Sequence, residues 1–233
     1  MDRRKIEELL EIYRSPGVKG LLRKKLKSFK EKEDKEHFYE LIFCLLTPQS
    51  KFDFCLEVVE SLKKHDELLF SSNLKKLDEL LEKKMVQVRF KNNKRKYILL
   101  AHQIFIDNGK INISKILKTC PCPITKREFL VKQVKGLGYK EASHFLRNIG
   151  YGEDIAILDR HILSALKYFG IIKEIPKSLT PRIYLEIEEK LIKLAKELKV
   201  TPGELDFILF LWNKEKDKKK HIKLLEKLKS LLP

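Results

Sequence analysis

The run Lys35-Glu-His-Phe-Tyr-Glu-Leu-Ile-Phe-Cys-Leu-Leu-Thr47 constrains this chain more than any other segment. Wound into a helix it is apolar on nearly every face, so it has to be surrounded by other elements and reads as a central buried helix. What surrounds it follows from the remaining periodicity. Apolar residues recur at helical spacing over 4–13, 18–32, 51–64, 74–83, 92–108, 126–134, 139–149, 160–169, 181–199 and 202–213. No segment alternates apolar and polar residues long enough for a sheet. Residues 109–125, with Gly109 and the Pro121/Pro123 pair, read as looser. The expected fold class is all-α. A length of 233 residues suits one large domain or two small lobes sharing a cleft.

Charge narrows the partners. Lys and Arg outnumber Asp and Glu by 50 to 33, a net +17. An excess of that size favours a polyanion, with nucleic acid ahead of an acidic membrane surface. A Lys/Glu-rich heat-adapted surface is the alternative, but such surfaces balance their signs better. The end of the chain, 214–233, carries eight lysines against three acids. Its spaced Ile and Leu residues suggest an amphipathic helix with a basic face. Cys44 and Cys55 lie in apolar runs and read as buried thiols. Cys120-Pro-Cys122 has no second cysteine pair or nearby histidines, so neither zinc nor an iron–sulfur cluster is expected, and no other cofactor. There is no signal-peptide pattern and no long apolar span, so a soluble intracellular protein is expected.

The chemistry concentrates in two segments. In the first, a helix ends at Lys135, Gly136-Leu137-Gly138 follows, and a second helix begins near Tyr139. Two glycines around an apolar residue permit a tight turn with Leu137 plugged into the core. They also leave backbone amides open to a phosphate at a helix N-terminus. An ordinary helix–turn–helix joint is the plainer reading of a bare Gly-x-Gly. Lys140 falls in the first helical turn, where a cation is electrostatically out of place. That setting, in a strongly basic chain, favours the neutral amine needed for nucleophilic attack, although a solvated lysine is the commoner case.

In the second segment, Ile155-Ala-Ile-Leu158 runs into Asp159-Arg-His-Ile-Leu163. Asp159 reads as a helix N-cap. It also places a carboxylate at the end of a buried run, able to return toward Lys140.

Gly136-Leu-Gly-Tyr-Lys140 followed by Leu158-Asp159-Arg-His161 resembles the helix–hairpin–helix DNA glycosylase superfamily. Within it, Lys140-Glu-Ala-Ser-His-Phe-Leu-Arg-Asn-Ile-Gly150 and Glu174-Ile-Pro-Lys177 are similar to the archaeal-type (type 2) 8-oxoguanine DNA glycosylase/AP lyases. The resemblance implies two helical lobes around a cleft in a single glycosylase unit. Approximately residues 1–30 and 127–233 would form one lobe, and 31–126 the other. It implies a monomer acting on double-stranded DNA that carries a damaged base or abasic site. Lys140 would be the Schiff-base lysine and Asp159 the catalytic aspartate, with 8-oxoguanine as the target. The alternatives are oxidised pyrimidines or another lesion, or a non-catalytic DNA-binding protein. Gly136, Leu137, Gly138 and Arg160 are the expected DNA contacts.

The chain departs from the type 2 pattern in three places. Thr47-Pro48-Gln49-Ser50 stands where an Ala-Asn pair is usual, and Gln49 could fill the gap left by a flipped base. The chain runs on past the helix containing Glu204-Leu-Asp206. The pocket tryptophan aligns with Phe210, whereas the chain's only Trp is Trp212, so both are candidates for a lesion pocket. Arg89, Lys94, Arg95, Lys96 and Arg147 are further candidates for phosphate contacts, or parts of a solvated face.

Overall fold

The structure, a computed structural model, describes residues 17–214 together with Glu7, Leu10, Glu11, Tyr13 and Arg14. The expected helix at 4–13 lies largely outside the described residues, and the tail from 215 on lies wholly outside them. Among the described residues the helices are α1 (Val18–Lys30), α2 (Asp34–Leu46), α3 (Phe52–Lys63), α4 (Asp66–Leu69), α5 (Leu74–Lys84), α6 (Lys91–Phe105), α7 (Ile113–Lys118), α8 (Pro123–Gln133), α9 (Tyr139–Asn148), α10 (Arg160–Tyr168), α11 (Pro181–Leu198) and α12 (Pro202–Lys214). The described residues are all-α apart from a two-stranded ribbon, β1 (Ile106–Asp107) and β2 (Lys110–Ile111).

Contacts divide the chain into two compact units, one joining residues up to Glu31 to those from Leu146 on, the other running from Lys32 to Phe145. Residues 127–145 therefore group with the second unit. The sequence placed them with the first, but Gly136 of this stretch lies against the Tyr97 ring of the second unit.

In that second unit α2 is the core. It buries His37, Phe38, Tyr39, Leu41, Ile42, Cys44, Leu45 and Leu46, and α3, α6 and α7 pack around it. A capping box between Glu33 and Glu36 starts it. Helix α6 stops at Phe105, short of the expected 108. Asn108 and Gly109 both adopt left-handed backbone, φ 49° and 76°, and turn the chain into the antiparallel pair Ile106↔Ile111 and Asp107↔Lys110. Asn-Gly is a strong hairpin signal. The looser stretch contains α7, because Ile113 and Leu117, one helical turn apart, are both buried. Helix α8 begins at Pro123, with Cys122 and Thr125 forming its capping box.

In the first unit α10 and α12 form the largest helix pair, and α1 and α11 also pack on α12. Phe29 of α1 stacks on Phe207 of α12, centroids 6.5 Å apart. Buried Glu204 accepts from Tyr13 Oη at 3.1 Å, Arg23 Nε at 3.1 Å and the Thr201 amide at 3.0 Å, which fixes the start of α12.

Candidate active site

The hairpin between α8 and α9 is built on one glycine with a strict requirement. Gly136 has φ 96°, and a β-carbon there would lie 2.4 Å from the Tyr97 ring. Any other residue would be strained by its backbone and would strike the ring. The Leu137 amide bonds the Val134 carbonyl at 3.2 Å, and the Leu137 side chain is 5% exposed, so it is the plug the sequence suggested. Gly138 serves differently. Its backbone is not left-handed, and its carbonyl accepts from Ala142 N–H at 2.9 Å, opening α9. An added β-carbon would meet only Glu141 Oε2 at 3.3 Å. The turn itself does not require a glycine at that position.

Helix α8 holds the first turn of α9 on both sides of Lys140. Arg127, 0% exposed, lies 5.1 Å from the Tyr139 ring centroid and donates to Ser143 Oγ at 3.2 Å. Tyr139 Oη donates to Glu128 at 2.8 Å. Lys140 leaves this anchored turn with its side chain 27% exposed and its Nζ 3.7 Å from Glu141 Oε1. From the sequence, Asp159 was the one carboxylate expected to face Lys140. The structure adds Glu141 as its neighbouring counter-charge.

Asp159 is the N-cap of α10. Its Oδ1 accepts from both the His161 amide, at 2.8 Å, and the Ile162 amide, at 2.9 Å. One oxygen thus does all the capping, and among the described residues Oδ2 has no hydrogen-bond partner. The capping and functional readings of this carboxylate are compatible in one side chain. The preceding run, Ile155 to Leu158, is buried, and among the described residues it belongs to no helix or strand. Side chains of α11 take a neighbouring strand's place. Glu188 Oε1 accepts from Ala156 N–H at 2.8 Å, and Tyr184 Oη donates to the Ala156 carbonyl at 2.7 Å and accepts from Leu158 N–H at 3.3 Å. Sequence reasoning missed this pair, although a Glu on the stripe Tyr184, Ile187, Glu188, Leu191, Leu194 was visible.

The remaining candidates fall in different places. Phe210 meets His161 edge-on at 5.5 Å, two residues from Asp159, and Asn213 Nδ2 lies 2.7 Å from His161 Nδ1. Trp212 instead lies 4.6 Å from Tyr168 and 4.7 Å from Phe169, at the other end of α10. Arg160 is exposed on the first turn of α10. Gln49 is exposed at the turn after α2.

Three basic side chains suggested for phosphate are engaged within the protein. Lys94 is buried and bonded to the turn after α2. Arg95 pairs with Asp78 at 2.9 Å and Glu82 at 3.0 Å. Arg147 pairs with Asp206 and lies 4.4 Å over the Phe207 ring. Arg89 and Lys96 remain exposed. Among the described residues, no cluster of His, Cys, Asp or Glu is arranged to hold a metal ion, and no helix is long and apolar enough to cross a membrane.

An all-helical chain whose glycine hairpin opens a helix bearing a lysine is a helix–hairpin–helix protein, and its relatives are DNA glycosylases. Residues 22–200 match the family model described as 8-oxoguanine DNA glycosylase. The 8-oxoguanine DNA glycosylase/AP lyase of Fusobacterium nucleatum is 43% identical over 212 residues, covering 89% of this chain and 94% of the relative. That of Methanocaldococcus jannaschii is 40% identical over 212 residues, covering 90% and 94%. The crystal structure of the M. jannaschii 8-oxoguanine glycosylase/lyase in complex with 15mer DNA containing 8-oxoguanine superposes with TM-score 0.76 at 34% identity, covering 91% of this chain and 98% of that one. The 8-oxoguanine DNA glycosylase of Thermotoga maritima gives 0.72 at 33% identity, covering 92% and 97%. The chain belongs to the 8-oxoguanine DNA glycosylase family.

Proposed function

We propose that this chain excises 8-oxoguanine from double-stranded DNA and then cleaves the strand at the abasic site, as a bifunctional glycosylase/AP lyase. Lys140 and Asp159 are its two catalytic residues. The target base is first everted from the duplex. Breaking its N-glycosidic bond develops positive charge on the sugar, which the ionised Asp159 stabilises. The amine of Lys140, with Asp159 as its carboxylate partner in giving up a proton, attacks C1′ as the base departs with the bonding electrons. Ring opening gives an iminium. Loss of a C2′ proton then expels the 3′ phosphate, and water releases the enzyme. Gly136, Leu137 and Gly138 present the α9 amides to a phosphate, and Arg160 adds a cation. Phe210, beside His161, and Trp212 are the aromatic candidates for the lesion pocket. The protein works as a monomer inside the cell, on DNA and not on membrane.

The observation that carries this reading is a Lys at the second residue of the hairpin's second helix, together with an N-capping Asp that caps through Oδ1 alone, in a chain of this family. A cleavage panel tests it. Duplexes each carrying 8-oxoguanine, an oxidised pyrimidine or uracil are incubated with the protein, and strand scission is followed on denaturing gels. Scission at 8-oxoguanine above the others is expected. Preferential scission at the oxidised pyrimidine would assign the other substrate class, and scission at none would refute the reading.

A further inference from the structure

The turn after α2 carries a strained residue held by a buried cation. Thr47–Ser50 is closed by the Ser50 amide on the Thr47 carbonyl at 3.1 Å, with Pro48 second and Gln49 third. Gln49 has φ 56°. A left-handed third residue after proline is the type II pattern, in which the central peptide is flipped relative to type I, and the position ordinarily belongs to Gly or Asn. The glutamine occupying it is exposed, and among the described residues nothing hydrogen-bonds its side chain. A backbone outlier bearing an unused polar side chain suggests function more than packing.

Lys94, from α6, accounts for how the turn is kept. It is 4% exposed, and its ammonium has three donors. They reach the Leu46 carbonyl at 2.6 Å, the Pro48 carbonyl at 2.7 Å and Ser50 Oγ at 2.8 Å. The bond to Pro48 acts on the flipped peptide itself, since its carbonyl orientation determines whether Gln49 is left-handed. Ser50 Oγ also accepts from the Arg89 amide at 3.1 Å, tying the turn to the segment that leads into α6. Burial lowers the affinity of Lys94 for its proton, which marks the site as costly for an ammonium. A buried cation is destabilising unless its donors are satisfied. Here all three are satisfied by the last residue of α2 and the turn that follows it.

We propose that Lys94 is a positioning residue that holds the Pro48–Gln49 peptide flipped, so that Gln49 is presented to the gap an everted base leaves in the duplex. The proposal rests on the glycosylase reading above. Its substrate is whichever duplex of the cleavage panel the wild-type protein cuts, so failure of that reading appears before any variant is made. If the wild type cuts none, both fall.

A double-mutant cycle tests the proposal. Lys94→Met keeps the length and removes the donors, and Gln49→Ala removes the presented group. Single-turnover excision is measured with the two single variants and the double, and base eversion is followed by 2-aminopurine fluorescence beside the lesion. Each single change is expected to slow excision by about tenfold and to lower the eversion signal, with the double no slower than the worse single, as for coupled neighbours. A general structural role for Lys94 would instead multiply with Gln49→Ala, and multiplication overturns the proposal. So does an inert Gln49→Ala or an unimpaired Lys94→Met. Should Lys94→Met not fold, Ser50→Ala replaces it. That change removes one of the three bonds from a half-exposed hydroxyl and is expected to show a smaller loss with the same coupling, and simple multiplication with Gln49→Ala overturns the proposal there too.

Discussion

Tyr184 is hydrogen bonded to Ala156, its phenol donating to the carbonyl at 2.7 Å across 28 residues of sequence. The same oxygen accepts from Leu158 N–H, and Glu188 accepts from Ala156 N–H. A buried segment outside any helix normally finds these partners in a neighbouring strand. Here one helix face supplies them and thereby sets where Asp159 stands at the head of α10. Tyr184→Phe leaves the Ala156 carbonyl and Leu158 amide without that partner, at a cost of about 1–3 kcal/mol. Urea unfolding should show that loss, and excision by the folded protein should fall in kcat more than KM changes. Unfolding curves that superimpose on the wild type would contradict the role of the phenol.

Asp159→Asn separates charge from capping. An asparagine Oδ1 still accepts from the His161 and Ile162 amides, so the helix start is retained at little cost. The negative charge at the sugar is lost. Base excision is expected to fall by about a hundredfold or more, the scale of losing a preorganised electrostatic group, while the melting temperature hardly moves. An unfolding protein whose remaining folded fraction is fully active would reduce Asp159 to a cap.

Acid should destabilise the second unit through two histidines. Burial holds His37 and His102 below the ordinary histidine range. Asp34, 3.3 Å from His37, pulls the other way but is outweighed, as are the Leu69 and Ser71 backbone groups at His102. Both imidazoles therefore bind protons more weakly folded than unfolded, where they titrate near about pH 6.5. Below that pH the unfolded chain takes up protons that the folded chain refuses, so stability falls as pH drops, until the folded groups protonate too. Urea midpoints between about pH 7 and 5 should decline, and the decline should be shallower in His37→Gln/His102→Gln. An identical slope in that variant would contradict this origin.

Much of this was legible in the sequence because it is local. The α2 run has no wide polar face to expose, and most of it from His37 to Leu46 is buried. Leu137 reads as a plug from its two flanking glycines, and Asp159 as a cap from the apolar run before it. What escaped depends on distant partners. Lys94 looks like any basic residue at the start of a helix, and only the turn after α2, 44 to 48 residues away, makes it a buried clamp. Tyr184 and Glu188 look like part of an amphipathic stripe until Ala156 and Leu158 supply the bonds they satisfy. The Asn108-Gly109 turn was a local signal left unread, because the helical period of the preceding residues runs straight into it. The basic tail beyond Lys214 lies outside the described residues.

Covalent trapping tests the central assignment most directly. If Lys140 forms an iminium with the sugar, borohydride should reduce it and fix the protein to DNA containing 8-oxoguanine or an abasic site. The adduct is read as a slowly migrating band on a denaturing gel. Lys140→Gln should abolish that band while binding to the same duplex, measured by fluorescence anisotropy, is largely retained. Undiminished trapping by Lys140→Gln would show that another amine is the nucleophile and would contradict the account.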